Sequence, residues 1–292
     1  MKIKVNFNEM GYNTTLSFEV NESDILFDLK KQIIQKIQFI SIERMGLYYF
    51  DSQKNKVYLY NNSANIIQSI KNNTNVYLYD QGKQLDLALA NTIEYSGPIV
   101  TFLLYIIYFK LYLQQDLSVM TIISIILSCF HYAKRVFESI VVHIHTKTMS
   151  LNMLILECVY YIGYYGIFCG YHVFTNEKEF HLVPDCFGIV LFFLSEINNF
   201  NCHIILRTIR LKNSNETQVP KGNLFRYVCC ANYCWEVCSW ISLTIVTRLY
   251  SVGFFAFIGF AVMTAWALEK KKGYTIKYGK VCPPKAIIPF IL

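Results

Sequence analysis

The sequence predicts an α-helical polytopic membrane protein of about six transmembrane helices, preceded by a small N-terminal α+β domain. Three observations predict it. Mean hydropathy is +0.30 and only 16% of residues are charged, far from an ordinary soluble domain. The apolar runs lie beyond Gly97, whereas residues 1–80 are polar and alternate with period two. The cations gather at particular loops and in the tail. We therefore divide the 292 residues into a domain over 1–80, a linker over 81–96, and a membrane domain with a C-terminal tail over 97–292.

In the first domain Ile3, Val5 and Phe7 share one face, as do Leu16, Phe18 and Val20. Asn8 to Thr14, with Gly11, supplies the turn of a hairpin. Ser23 is the expected cap of a helix carrying Leu26, Leu29, Ile33 and Ile37 at helical spacing. Leu47–Phe50 and Val76–Tyr79 read as further strands. The order ββαββ suggests a ubiquitin-like β-grasp, and the missing double-Gly tail argues against conjugation.

Apolar spans are expected near 97–113, 117–133, 151–174, 184–202, 224–246 and 250–268, each close to the ~20 residues that cross a bilayer. Gln114-Gln115-Asp116 would turn a tight hairpin between the first two. Lys134, Arg135, Lys147, Arg207, Arg210, Lys212, Lys221, Arg226 and the tail lysines 270, 271, 272, 277, 280 and 285 fall on one side of these spans. The other side holds Lys110, Lys178 and Arg248. The positive-inside rule puts the cationic side and both termini in the cytosol, as an even span count requires. No signal-peptide apolar region opens the chain. The basic tail is short, beside a membrane segment and poor in stacking aromatics, so no nucleic-acid partner is expected.

None of the ten cysteines precedes Cys129, and nearly all lie in or beside apolar segments. That argues against a secreted disulfide framework and for reduced thiols serving as small apolar residues. Cys230, Cys234 and Cys238 repeat at i+4 without CxxC spacing, so no metal is expected. Gly163, Gly166 and Gly170 suggest close helix contact. No GxGxxG follows a strand, so any dinucleotide must be held by the membrane helices and their loops.

Polar groups in such spans cost free energy unless they pair or bind. His131, Lys134, Arg135 and Glu138 close the second span, with Lys134 and Glu138 one turn apart. Asn199, His203, Arg207 and Arg210 follow one helical stripe, and arginine forks suit phosphates. Snorkelling cations at the membrane edge are the bland alternative for both groups. Asn232, Tyr233 and Glu236 lie inside the fifth span, where interhelical hydrogen bonding competes with a site role. Glu157 and Glu196 are further intramembrane acids, and Glu196 is expected to face the same polar interior.

Taken in order, these motifs resemble a known family. They are Tyr79-Asp80, Glu94-Tyr95-Ser96-Gly97-Pro98, His131-Tyr132-x-Lys134-Arg135-x-x-Glu138, Asn199-Phe200-x-x-His203-x-x-Leu206-Arg207-x-x-Arg210, Asn232-Tyr233-x-x-Glu236 and Ile287-Ile288-Pro289-Phe290. The chain is similar over nearly its full length to the very-long-chain trans-2-enoyl-CoA reductases, within the wider steroid 5α-reductase family. The resemblance implies NADPH-dependent reduction of the 2,3-double bond of a long-chain acyl-CoA, the last step of each fatty acid elongation cycle, in the endoplasmic reticulum membrane. It implies that Lys134 and Tyr233 are catalytic, with Tyr233 the proton donor and Lys134 lowering its effective pKa or touching the developing oxyanion. It also implies that Asn199, His203, Arg207, Arg210, Asn232, Glu236, Lys271 and Tyr274 hold the cofactor, and that His131, Arg135 and Glu138 support the site. Family members carry His or Arg ahead of the position of Tyr274, where this chain reads Lys270-Lys271-Lys272-Gly273. The acyl tail would lie between helices beside membrane lipid, and other fatty acid elongation enzymes are the expected partners. A steroid or polyprenol enone reductase and a non-catalytic scaffold of the elongation complex are the competing readings.

Overall fold

The computed structural model describes the chain except residues 8–13, 38, 39, 60, 61, 63, 72, 146, 147, 177, 213–217, 280 and 281, and leaves out the side chains of Lys212 and Lys277. The expected turn from Asn8, and the cations Lys147 and Lys280, lie outside the described residues. Two compact units form: Met1–Ala90 with His145–Ile155, and Asn91–Ile144 with Leu156–Leu292.

In the first unit, β1 (Lys2–Phe7) pairs antiparallel with β2 (Thr14–Glu19) and parallel with β5 (Asn75–Asp80). β3 (Met45–Phe50) joins β5 to β4 (Lys56–Leu59), giving the order β2-β1-β5-β3-β4. Helix α1 (Leu26–Lys36) lays Leu26, Leu29 and Ile33 against Ile3, Val5 and Phe7, all buried in one core. This mixed sheet with α1 on one face is consistent with the expected β-grasp order, and a short helix α2 (Ile66–Ile70) precedes β5. β4 escaped the sequence reading because it is an edge strand with one buried residue, Leu59.

Ser23 does not cap α1. The helix starts after Ile25, and the Asp28 carboxylate accepts the Ile25 N–H at 3.2 Å. An acid inside the first turn does the capping because it also meets the positive end of the helix dipole. A two-stranded ribbon of β6 (Gln84–Asp86) and β7 (Thr148–Ser150) completes the unit.

The second unit is a helical bundle. Helix α3 (Leu87–Ile106) begins well before Gly97 and runs on to Tyr112 through a wider π-type turn. Apolarity alone started this span after Glu94, whereas Leu87–Ser96 carries no helix breaker. Gln114 adopts positive φ (53°) to reverse the chain, and Lys110 pairs with Asp116 at 2.5 Å across the expected hairpin turn. Ser118 then caps α4 (Val119–Phe137), its hydroxyl accepting the Thr121 N–H at 3.1 Å.

Next come α5 (Leu151–Cys158), a long π-type stretch over Val159–Cys169, and α6 (Gly170–Thr175), which together make one span. Gly166 and Gly170 of this span meet α3 at Pro98, Thr101 and Tyr105, where a Cβ would crowd them, while Gly163 faces open space. Helix α7 (Leu182–Lys212) is 31 residues long and carries the expected fourth span into the Arg207–Arg210 stripe without a break.

Five helices among the described residues are long and apolar enough to cross a membrane: Leu87–Tyr112, Val119–Val142, Leu151–Thr175, Leu182–Leu211 and Tyr250–Ile276. Helix α8 (Ala231–Thr247), of 17 residues, stands with them at about 26 Å. The expected span 224–246 does not run as one helix, because a 3₁₀ turn at Asn223–Arg226 precedes α8. Cys229 and Cys230 give their N–H groups to Lys285 and Ala286 near the end of the chain (2.9 and 3.0 Å) instead of to a helix. Helix α9 (Tyr250–Tyr278) follows a left-handed turn at Arg248, whose guanidinium is held by the buried Asp185.

Candidate active site

A polar stripe from each of three helices meets inside the bundle. On α4, helical spacing aligns His131, Lys134, Arg135 and Glu138. On α7 it aligns Glu196, Asn199, His203, Arg207 and Arg210. On α8 it aligns Asn232, Glu236 and Trp240.

His131 bridges two acids: Nδ1 to Glu196 Oε1 at 2.7 Å and Nε2 to Glu236 Oε1 at 3.3 Å. Lys134 Nζ reaches Glu196 Oε2 at 2.8 Å, Asn199 Oδ1 at 2.6 Å and Glu138 Oε1 at 3.3 Å. Asn199 donates onward to the Asn232 carbonyl at 2.8 Å and to Glu236 Oε2 at 3.2 Å. Arg135 reaches Glu138 Oε2 at 2.8 Å and Tyr95 Oη at 3.3 Å. Glu138 and Glu196 are 0% and 2% exposed, so these are interior pairs and not snorkelling cations. Removing one partner from such a pair leaves a buried charge at a cost of about 3–5 kcal/mol.

Local backbone geometry helps place the stripe. Hydrogen bonding widens to π type at Glu138–Val142, where His143 N–H reaches back to Glu138 O at 2.8 Å. Single π-type turns often mark functional sites. This turn swings the carbonyls of Val141, Val142 and Ile144 toward α7. Arg207 donates to Val141 and Val142, and Arg210 to Ile144. Among the described residues neither arginine pairs with a carboxylate. Their charge stays available at the end of the bundle where an anion can arrive. His203 Nδ1 sits 3.0 Å from Glu138 Oε1, and its ring lies 4.7 Å from that of His143.

Tyr233 is turned about 100° from Asn232 on α8. It packs with Tyr274, Cys229, Cys230 and Ala267, and its ring centroid is 6.4 Å from that of Trp266 on α9. Its hydroxyl makes no hydrogen bond among the described residues, and none joins it to Lys134. Tyr274 is buried in the same cluster, with the Lys270 ammonium 5.8 Å from its ring centroid. Lys271 donates to the Pro284 carbonyl at 2.6 Å, so it fastens the chain end. The structure thus gathers His131, Lys134, Arg135, Glu138, Asn199, His203, Asn232 and Glu236 into one network. It leaves Tyr233 and Tyr274 in an adjoining pocket on the α9 side.

Glu196, expected to face the polar interior as a lone acid in an apolar span, is the hub that Lys134 and His131 share. Two features were missed. Glu94, 3% exposed with a hydrogen-bond-free buried oxygen, carried the same signal inside a stretch taken as linker. The buried Thr264 hydroxyl also lacks a partner. The helical threonines 208, 244, 247 and 275 bond back to the carbonyl one turn earlier, and Thr264 does not.

The family described as 3-oxo-5-alpha-steroid 4-dehydrogenase matches residues 147–292, which hold α7, α8 and α9. A protein of Dictyostelium discoideum named very-long-chain enoyl-CoA reductase is 31% identical over 94% of this chain and 95% of its own. The chain belongs to the very-long-chain enoyl-CoA reductases. A Caenorhabditis elegans protein named a probable very-long-chain enoyl-CoA reductase is 30% identical over 94% of this chain and 93% of its own. A human trans-2,3-enoyl-CoA reductase-like protein is 30% identical over 77% of this chain and 67% of its own. For a membrane-embedded enoyl-CoA reductase the buried network has a plain chemical sense. Its fixed charges sit in a medium of low dielectric, where they act strongly on charge that develops nearby.

Proposed function

We propose that this chain uses NADPH to reduce the 2,3-double bond of very-long-chain trans-2-enoyl-CoA, closing each fatty acid elongation cycle. It would do so in the endoplasmic reticulum membrane, with both termini cytosolic and other elongation enzymes nearby. The observation that carries the reading is the buried network on α4, α7 and α8, which ends in two uncompensated arginines at one side and orphan polar atoms at the other. Asn232 Oδ1 is buried without a hydrogen bond, beside the Asn199 contact that fixes its backbone. A buried acceptor left unpaired costs about 1–3 kcal/mol, which a bound donor would recover. The carboxamide of a nicotinamide offers such a donor. Arg207 and Arg210 supply the forks for its phosphates. These residues therefore fit a phosphorylated dinucleotide.

The cofactor, when bound, supplies the hydride to Cβ of the substrate. Charge then moves onto the thioester oxygen, and Cα takes a proton. Tyr233 is our proton donor, because its hydroxyl is unengaged and its ring packs in the apolar cluster beside α9, where an acyl chain can lie. Lys134 is held by three partners, so we assign it to the network. It positions Asn199, and through it α8, and sets the field at the developing oxyanion.

The test is NADPH oxidation by purified protein in detergent with a C20 trans-2-enoyl-CoA. Wild type turns over, and Tyr233→Phe lowers kcat at least a hundredfold with cofactor affinity kept. Turnover that survives Tyr233→Phe moves the proton donor elsewhere. NADPH binding without turnover sends the search to enone lipids, as the family match allows. No binding at all leaves the scaffold.

A further inference from the structure

A cleft of about 420 Å³ runs between α8 and α9, lined by Val237, Ile241, Thr244, Gly253, Phe257 and Phe260 among others. Its walls are almost wholly apolar. Val237, Phe260 and Ile288 at one end also pack in the cluster that holds Tyr233 and Tyr274. Val237 and Ile241 continue the face of α8 that begins at Tyr233. From Tyr233 to Ile245 this face is about 18 Å long, which accommodates about fourteen carbon–carbon bonds at roughly 1.3 Å of advance each.

Composition and shape at the far end are distinctive. Gly253 leaves α9 without a side chain where it passes Thr244, and a Cβ there would meet Thr244 Cγ2 at 3.2 Å. Ile241 and Phe257 are 47% and 63% exposed, so the long side of the cleft faces lipid. The other end abuts the cluster of Tyr233 and Tyr274, and the orphan Thr264 hydroxyl lies one turn past Phe260 on α9. A site that is apolar along its length, open sideways to the bilayer and continuous at one end with the cluster holding the unengaged Tyr233 fits one ligand class, a long-chain acyl thioester.

We propose that the α8–α9 cleft is the acyl-chain site, with the thioester at the Tyr233 and Thr264 end and the chain running past Ile241 and Thr244 toward Gly253. The assignment rests on the reductase reading above. Gly253 then sets how long a chain is accepted, and the lipid-facing side lets substrate enter and product leave without crossing water.

Two measurements on the full chain test it. The first compares kcat/KM for C8 and C20 trans-2-enoyl-CoA in wild type, Gly253→Leu and Ile241→Trp. Filling the far end lowers the C20 value at least tenfold and changes the C8 value less than twofold. Helix propensity rises on replacing this glycine, and Ile241→Trp fills the cleft from its exposed rim, so both variants should fold. A fall common to both lengths, or no fall at either, overturns the proposal. The second is photo-crosslinking with a C20 acyl-CoA carrying a diazirine near its terminal carbon, which requires no turnover. Label on the 241–257 segment in wild type, lost in Gly253→Leu, supports the cleft. Label that persists in Gly253→Leu, or that falls on α3 or α5, marks the cleft as an annular-lipid site and overturns it. Crosslinking there without NADPH-dependent turnover would sink the reductase reading and leave the acyl site standing.

Discussion

Lys134 shows how a single side chain is committed by its surroundings. With Glu196, Asn199 and Glu138 all within 3.3 Å, the ammonium has no donor to spare for a ligand. Lys134→Ala leaves Glu196 Oε2 without its cation while His131 still holds Oε1, and we expect a loss of about 3 kcal/mol of stability together with activity. Adding Glu196→Gln to it should restore much of the thermal stability but little turnover, because Asn199 still lacks its partner. Recovery of both would make Lys134 a structural counter-charge and nothing more. Asn232→Ala removes the orphan acceptor without stranding a charge. The expected outcome is NADPH binding weakened about tenfold, roughly 1.4 kcal/mol, by titration calorimetry, with the fold unchanged.

At the scale of elements, α1 carries an unusual cost. Lys30 is 4% exposed in the β-grasp core, and burial pulls its pKa down from 10.5 to about 8. Between those values the unfolded chain holds a proton that the folded domain has released, so stability rises with pH across about 8 to 10.5. Lys30→Met should therefore protect residues 1–80 of the full chain against a pulse of protease at pH 7.5. Its advantage should shrink toward pH 10. An advantage independent of pH would show that Lys30 is not buried as a cation.

What the sequence disclosed at this scale follows from period and polarity. The β1–β2 hairpin and α1 were legible because one face of each is apolar. The Glu196–Arg210 stripe was legible because its polar residues recur at helical spacing. β4 was not, since an edge strand needs only one buried residue. Nor was the break before α8, because Tyr227, Cys229 and Cys230 are as apolar as a span and their backbone partners lie more than fifty residues away. The separation of Tyr233 from Lys134 depends on the helix rotation that packing sets, which no motif encodes.

The whole molecule sorts its charge, and two measurements check what that implies. Asn21-Glu22-Ser23 is a glycosylation acceptor in the first unit. With a cytosolic N-terminus it stays bare, so endoglycosidase treatment of the microsomal protein should cause no mobility shift; a shift would place the domain in the lumen. NADPH at a hundred times its Kd should stabilise the protein by about 2.7 kcal/mol and raise its melting temperature accordingly. NADH at the same concentration should do less, because Arg207 and Arg210 would then lack the 2′-phosphate. Equal shifts would remove that phosphate from their role.

The pairing of Cys229 and Cys230 with Lys285 and Ala286 also bears on how the protein is made. The helix that carries Tyr233 is synthesised some fifty residues before the segment at Lys285 and Ala286 that closes its leading edge. At about 5–20 residues per second, that wait lasts several seconds. During it the earlier helices can already sit in the bilayer while the tyrosine pocket lacks one wall. The tyrosine pocket is thus completed only after the helix that carries its tyrosine has been made, so insertion precedes assembly of the site.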